Sequence, residues 1–253
     1  MNTPPFKKDR LTVHVLEDRR ALGQHAAAMA AEKIRTLSQT QDHINIIFAA
    51  APSQNEFLAA LVSDETIPWS KINAFHMDEY IGLAAQAPQA FANFLRESIF
   101  DKMPFASVNC IDVSAADAEK ECDRYARLLE SHPPDIVFMG IGENTHLAFN
   151  DPPVADFHDA RLVKQVALDA ACRQQQVNDG CFARLEQVPK YAITLTIPAL
   201  LAAPYIYCMV PGPTKRAAIF HTLNSPITSE YPSTILREHE HADLFVDHQS
   251  YQP

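Results

Sequence analysis

The sequence is short of basic residues and lacks any regular pattern of cysteines. Its 21 Lys and Arg residues stand against 31 Asp and Glu residues, a formal net charge of −10 with histidine neutral. A general nucleic-acid-binding protein needs a basic face, so we expect no nucleic-acid partner. The five cysteines are odd in number and irregularly spaced, and none forms a CxxC pair. This argues against a disulfide framework or a zinc site and predicts reduced thiols in a cytoplasmic protein with no bound metal.

Long uninterrupted apolar runs are also missing. The N-terminal MNTPPFKKDR lacks the apolar core of a signal peptide. The most apolar stretch, residues 193–210, contains two prolines and two threonines. We interpret it as strand, short helix and strand, so we expect no membrane partner. Without internal repeats, low-complexity tracts or linkers, residues 1–253 are predicted to form a single domain.

What the chain does contain is a regular alternation of short apolar runs and longer helix-like segments. The strand-like runs are LTVHVL (11–16), INIIFAA (44–50), KINAF (71–75), DIVFMG (135–140), 160–168, YAITLTI (191–197), YIYCMV (205–210) and ADLFVD (242–247). The helix-like segments are 18–37 with Asp18 as N-cap, 54–63, 89–101, 115–131, PALLAA (198–203) and 214–223. This alternation predicts an α/β fold with a mostly parallel sheet.

Polar loops follow four of the predicted strands. In open parallel sheets, ligands bind beyond the carboxyl ends of the strands. These loops supply hydroxyl, carboxylate, amide, imidazole and ammonium groups. In chain order, the residues are Ser53 and Gln54; Asp78 and Glu79; Gly142, Asn144 and His146; and Lys215. These groups could converge on one small anionic ligand.

Each of these groups also has a purely structural interpretation. Lys215 in the first turn of a helix suits a phosphate, but a capped helix with a solvated lysine looks the same. Asp78 and Glu79 are either a positioned base with its neighbour or loop carboxylates in water. His146 with Asp151 could handle protons, although a lone histidine is more often structural. The glycines at 140 and 142 are not a dinucleotide fingerprint, because its third glycine is missing.

Taken together, several segments resemble the glucosamine-6-phosphate deaminase/isomerase family. The resemblance rests on FHMDEYIGL (75–83), GIGENTHLAFNDPP (140–153), VPKYAITLT (188–196) and GPTK (212–215), and extends over about residues 10–248. The sister group, the 6-phosphogluconolactonases, has a similar glycine–histidine loop that continues toward Ser-Leu-Phe-Pro. This chain has Ala-Phe-Asn-Asp at 148–151 instead, which favours the deaminase branch.

The resemblance implies a Rossmann-like three-layer fold, shared with ribose-5-phosphate isomerase and CoA-transferase relatives. It implies conversion of glucosamine 6-phosphate, or a close analogue, and water to fructose 6-phosphate and ammonia, as in amino-sugar catabolism. No cofactor or metal is needed for this chemistry. The partner is a small phosphosugar, and a homo-oligomer is possible because the family contains monomers and larger assemblies.

The resemblance also implies roles for individual residues. Asp78 matches the general base that moves a proton between C2 and C1, and His146 matches the histidine that assists ring opening. Asp151 stands where the family has a glutamate supporting that histidine, and Asn144 could orient it. Lys215 matches a phosphate-contacting lysine. The other predicted substrate-binding residues are Ser53 and Gln54 in the phosphate loop, Glu79, Gly142 and Arg173. Arg173 is predicted to lie on a lid or at a helix start. It could instead contact a neighbouring subunit or lie in a solvated loop.

Two departures from the family pattern bear on activity. The usually glycine-rich phosphate loop is Ala49-Ala50-Ala51-Pro52 here, and proline removes one donor. Thr145 replaces a glycine, so a positive φ there would cost roughly 1–2 kcal/mol or force another loop path. A non-deaminating sugar-phosphate isomerase or lactonase, or a sugar-phosphate-binding regulator without turnover, are therefore the alternatives.

Overall fold

The computed structural model describes residues 4–114, 117–152, 154–178 and 180–252. The strands in these ranges are β1 (Phe6–Lys8), β2 (Leu11–Leu16), β3 (Ile44–Phe48), β4 (Ile72–His76), β5 (Asp78–Tyr80), β6 (Ser107–Asn109), β7 (Ile136–Met139), β8 (Val163–Ala167), β9 (Tyr191–Leu195), β10 (Tyr205–Val210) and β11 (Ala242–Asp247). The helices are α1 (Arg19–Ser38), α2 (Asn55–Val62), α3 (Phe91–Leu95), α4 (Ala118–Ser131), α5 (Ala170–Asn178), α6 (Ile197–Leu201) and α7 (Arg216–Asn224).

Eight strands form the main sheet, in the order β1-β2-β11-β10-β7-β3-β4-β6. Only the edge strand β1 is antiparallel to its neighbour within it. Successive side chains of β7 enter opposite cores: Phe138 packs with α1 and α2, and Val137 and Met139 pack with α4 and α7. The sheet is thus covered on both faces, which confirms the predicted three-layer α/β fold with a mostly parallel sheet.

A second sheet of three antiparallel strands, β5-β9-β8, adjoins the carboxyl end of β4. Asp78 and Glu79 begin β5, with Asp78 paired to Thr194, rather than lying in a loop as the sequence suggests. The prediction fails here because a three-residue strand has no periodicity of its own and forms only against its remote partner.

The predicted helices are present, with changes at their ends. Asp18 caps α1, since its carboxylate accepts a hydrogen bond from the Ala21 N–H at 2.8 Å. The segment predicted as a helix over 89–101 begins at Phe91 and ends in one π-helical turn over Arg96–Phe100. The helix predicted over 115–131 begins at Ala118, and residues 115 and 116 lie outside the described ranges. Within those ranges, the helices are too short or too polar to cross a bilayer.

Helices α1 and α2 cross closely at Gly23. A Cβ at this position would lie 2.7 Å from the backbone of Glu56 and Phe57. The crossing fixes the start of α1 beside α2 and the loop before it. The Arg19 side chain at the start of α1 therefore lies next to the predicted phosphate loop.

Candidate active site

A cavity of about 600 Å³ lies beyond the carboxyl ends of β3, β4, β7 and β10. Five of the residues predicted from the sequence line it: Ser53, Asp78, Gly142, His146 and Lys215. They come from four different strand ends, and the parallel arrangement of those strands brings them to one edge of the sheet.

Asp78 presents a buried carboxylate to this cavity. It is 7% exposed, and among the described residues none donates a hydrogen bond to it. Burial, and then the charge of neighbouring Glu79, raise the pKa of Asp78 well above its ordinary value. A carboxylate with raised proton affinity and no internal partner is suited to act as a general base.

Glu79 faces away from the cavity, on the other side of β5. Its carboxylate accepts hydrogen bonds from the N–H groups of Tyr80, Phe91 and Ala92 at 2.9, 3.0 and 2.8 Å. Burial raises the pKa of Glu79, and these three bonds partly oppose the rise. The predicted contact of Glu79 with substrate has no support in this placement, because the side chain is committed to the start of α3. Its effect on the cavity is electrostatic, through Asp78.

His146 is held by a small polar network. Its Nδ1 lies 2.6 Å from Asn144 Oδ1 and 3.0 Å from Asp151 Oδ1, and Asn144 Nδ2 donates to the same Asp151 oxygen at 2.9 Å. Both partners of Nδ1 are acceptors, so Nδ1 carries the proton and Nε2 is left to exchange protons with a ligand. Asn144 and Asp151 do not line the cavity and act through the histidine.

The shorter aspartate still reaches the histidine. Burial alone would raise the pKa of Asp151, but its hydrogen bond and charge interaction with His146 and its bond from Asn144 outweigh burial, so the pKa lies below its usual value. Asp151 is therefore ionised and stabilises an imidazolium.

The loop that carries His146 has an unusual backbone. A Cβ on Gly142 would overlap the imidazole atoms Cε1, Nε2 and Nδ1, so only glycine leaves room for the ring. Thr145 adopts the left-handed conformation, with φ of 70°, and is 1% exposed. The sequence predicted either a costly positive φ at Thr145 or a different loop path. The structure shows the positive φ, so the loop carries backbone strain at this residue.

The alanine-rich loop follows β3 without any strained residue. Ala51 is extended, with φ of −156°, so the loop does not need glycine there. Ser53 lines the cavity, whereas Gln54 is fully buried beneath it. The Gln54 amide donates to Ser53 Oγ at 3.0 Å and approaches the carbonyls of Met139 and Met209 at 3.3 and 3.4 Å. Gln54 thus braces three strand ends, and the predicted phosphate contact has no support from its position.

Lys215 also lines the cavity and is 7% exposed. The chain reaches it through Gly212, whose φ of 94° suits glycine. Gly212 N–H lies 3.1 Å from both carboxylate oxygens of Asp247 at the end of β11. Asp247 also accepts from Ser250 N–H at 2.7 Å, so it fixes the loop that presents the lysine.

Arg173 does not reach the cavity. Its guanidinium donates to the carbonyls of Leu185 at 2.6 Å and Val188 at 2.9 Å, which fastens α5 to the segment before β9. The predicted phosphate contact of Arg173 is therefore not supported by the structure. The neighbouring Gln175 and Gln176 line the cavity instead, and Gln175 Oε1 accepts from Glu143 N–H at 2.8 Å.

One charged residue that lines the cavity was not among the site residues predicted from the sequence. Arg19 lines it from the start of α1. No local pattern marks this arginine, because it follows an ordinary helix N-cap and reaches the site only through the close crossing of α1 and α2.

Three buried side chains could in principle hold a metal ion. Ligand atoms of His146, Asp151 and Cys172 lie within 4.8 Å of one another. His146 and Asp151 already bond to each other through these atoms, and burial raises the pKa of the Cys172 thiol, which favours its protonated form. The arrangement suits a proton relay better than a metal centre.

Comparison with known proteins places these observations in context. The family model for glucosamine-6-phosphate isomerases/6-phosphogluconolactonase matches residues 17–246. A glucosamine-6-phosphate deaminase of Listeria monocytogenes is 30% identical over 211 residues, covering 83% of this chain and 88% of the relative. One from Streptococcus equi subsp. zooepidemicus is 31% identical over 193 residues, covering 76% and 79%.

Two solved structures share the fold. A monomeric glucosamine-6-phosphate deaminase superposes with a TM-score of 0.86 at 24% identity, covering 94% of this chain and 98% of that one. A 6-phosphogluconolactonase from Thermotoga maritima gives a TM-score of 0.77 at 21% identity, covering 94% and 99%.

Proposed function

Because the chain belongs to the glucosamine-6-phosphate isomerase/6-phosphogluconolactonase family, we propose that it is an amino-sugar phosphate deaminase/isomerase. It converts glucosamine 6-phosphate, or a close analogue, and water to fructose 6-phosphate and ammonia. The observation that carries this proposal is the buried Asp78 carboxylate, which accepts no hydrogen bond from the described residues and lies in the same cavity as the His146 network.

The two groups divide the proton transfers. Ring opening moves a proton from the anomeric hydroxyl to the ring oxygen, and His146 Nε2 is suited to relay it, with Asp151 stabilising the charged ring. Asp78 then removes the C2 proton of the open chain, while the C1 oxygen takes up a proton that the C2 ammonium gives up, and Asp78 returns its own proton to C1. The resulting imine at C2 adds water and releases ammonia.

The phosphate is held away from these groups. Ser53 and Lys215 line the part of the cavity built by the loops after β3 and β10. A buried lysine and a hydroxyl suit a phosphate dianion, and binding this remote group places the reacting carbons between Asp78 and His146.

The test is a paired assay with glucosamine 6-phosphate, in which ammonia and fructose 6-phosphate are followed together. We expect equal release of both products, and loss of both in Asp78→Asn. Glu79→Gln is the matched control: it neutralises the adjacent carboxylate, which faces away from the cavity, and turnover persists. Hydrolysis of 6-phosphogluconolactone without ammonia from the amino sugar would favour the lactonase alternative. Tight phosphosugar binding without any product would favour a regulator.

We also propose a cytoplasmic location, in keeping with the odd number and irregular spacing of the cysteines, and a single domain. A homo-oligomer stays a prediction that light scattering on the purified protein would test.

A further inference from the structure

We propose that Arg19 is a phosphate-binding residue of this site and replaces backbone donors that the loop after β3 does not offer. The inference rests on the proposed function, since it concerns the phosphate end of the same substrate.

The loop after β3 has few N–H groups to give. Pro52 has none, Ala49 N–H donates to Phe138 O at 2.9 Å, and Gln54 N–H donates to Ala51 O at 2.9 Å. In residues 49–54, at most three backbone N–H groups therefore remain to bind a ligand, those of Ala50, Ala51 and Ser53. A phosphate dianion has three oxygens to satisfy, each able to accept more than one hydrogen bond, so another strong donor at this end would add directly to affinity.

Arg19 is placed to supply it. Its guanidinium is fixed from one side: Nε lies 2.6 Å from Glu56 Oε1, and Nη2 lies 2.9 Å from Glu56 Oε2 and from Pro52 O. Within the described ranges, Nη1 takes part in no hydrogen bond. The arginine lines the cavity together with Ala49–Ser53 and Lys215.

The fixed orientation is the reason to assign a function to this ion pair. Glu56 sits at the start of α2, directly after the loop, and the crossing at Gly23 holds α1 against it. Arginine pairs with carboxylates and phosphates through a planar array of donors, and an orientation set beforehand lowers the entropy lost on binding. A solvent-exposed ion pair serving only as a brace would contribute little to stability and nothing to phosphate affinity.

The experiment compares Arg19→Gln and Arg19→Lys with the wild type and with Arg35→Gln. Arg35 is a matched control because it lies on the same helix and pairs with Glu32 and Asp64 at 2.7 and 3.4 Å, but does not line the cavity. The readouts are KM and kcat for glucosamine 6-phosphate, the inhibition constant of inorganic phosphate, and the melting temperature.

We expect Arg19→Gln to raise both KM and the phosphate inhibition constant about tenfold or more, with kcat changed less than about threefold, because a charge-assisted contact to a remote group is lost. Arg19→Lys keeps the charge without the planar donors and falls between. Arg35→Gln leaves both constants unchanged.

Arg19 variants that bind phosphate as tightly as the Arg35 control would overturn the inference while the proposed function stands. A wild-type protein that turns over no amino-sugar phosphate and does not bind phosphate would overturn both. If Arg19→Gln does not fold, the test uses Arg19→Lys and Glu56→Gln. An inhibition constant of inorganic phosphate that is unchanged in both variants would contradict a role for the oriented guanidinium.

Discussion

Replacing Gly142 with alanine should disable the His146 network by sterics alone. The φ of Gly142 lies outside the left-handed region, so alanine adds no left-handed strain there. Its Cβ would, however, occupy the volume of the imidazole, and the ring would have to retreat by about 1 Å or more to reach ordinary carbon contact. The ring is 8% exposed and held by bonds of 2.6 and 3.0 Å, so a shift of this size breaks its alignment with Asn144 and Asp151.

A displacement of about 1 Å at a reacting group costs on the order of 10²-fold in rate. We therefore expect kcat for ammonia release to fall by about 10²-fold in Gly142→Ala, with KM changed little because the phosphate loops are not touched. Gly140→Ala is the control for a methyl group added elsewhere in the cavity: its Cβ meets Ser53 Oγ at 3.2 Å, Gln54 Nε2 at 3.3 Å and Met209 O at 3.4 Å, and His146 is not among these neighbours. A Gly142→Ala enzyme with kcat within about threefold of the control would refute the assigned role of the ring position.

Three further predictions concern charge and backbone strain. Glu79→Gln removes the negative neighbour that raises the pKa of Asp78, so the acidic limb of the kcat/KM profile should move to lower pH; an unmoved limb would show that Glu79 does not act on the base. Asp78→Asn should melt at a higher temperature than the wild type at pH 7, since the raised folded pKa means that ionisation of Asp78 opposes folding. This gain should shrink as pH falls towards the ordinary aspartate value of 3.8, and a gain independent of pH would contradict it. Thr145→Gly should raise the free energy of unfolding by about 1 kcal/mol in urea denaturation, because relief at φ of 70° exceeds the entropy cost of glycine. The control is Thr145→Val, which keeps a β-branched residue at the positive φ. A Thr145→Gly protein that is less stable than the wild type would contradict the claim that this φ destabilises the fold.

The parts of the fold that the sequence predicts well are those with a strong local signal. Continuous apolar runs identified β3, β7 and β10, and the rule for strand ends then brought Ser53, His146 and Lys215 to one cavity. Such runs are long enough to define a buried parallel strand without knowledge of its neighbours.

The direction of individual side chains was not predictable in the same way. Asp78 and Glu79 are adjacent in sequence, yet β5 turns one into the cavity and the other toward α3, because successive residues of a strand point to opposite faces. The orientations of Gln54 and Arg173 were also not predictable from local sequence. Both side chains donate hydrogen bonds to backbone carbonyls of other segments of the chain. Arg19 was missed because only the packing of two helices brings it to the cavity.

The bracing of strand ends by Gln54 has a consequence for how the protein acquires its site. The amide joins carbonyls that are 85 and 155 positions further along the chain. Helices α1 and α2 are near neighbours in sequence, whereas β10, the strand that leads to Lys215, pairs with both β7 and β11. Pairings between residues far apart in sequence carry a larger loop-closure cost than local contacts, so we expect them to form later. Recovery of ligand binding during refolding should therefore lag behind the return of helical signal and report completion of the main sheet.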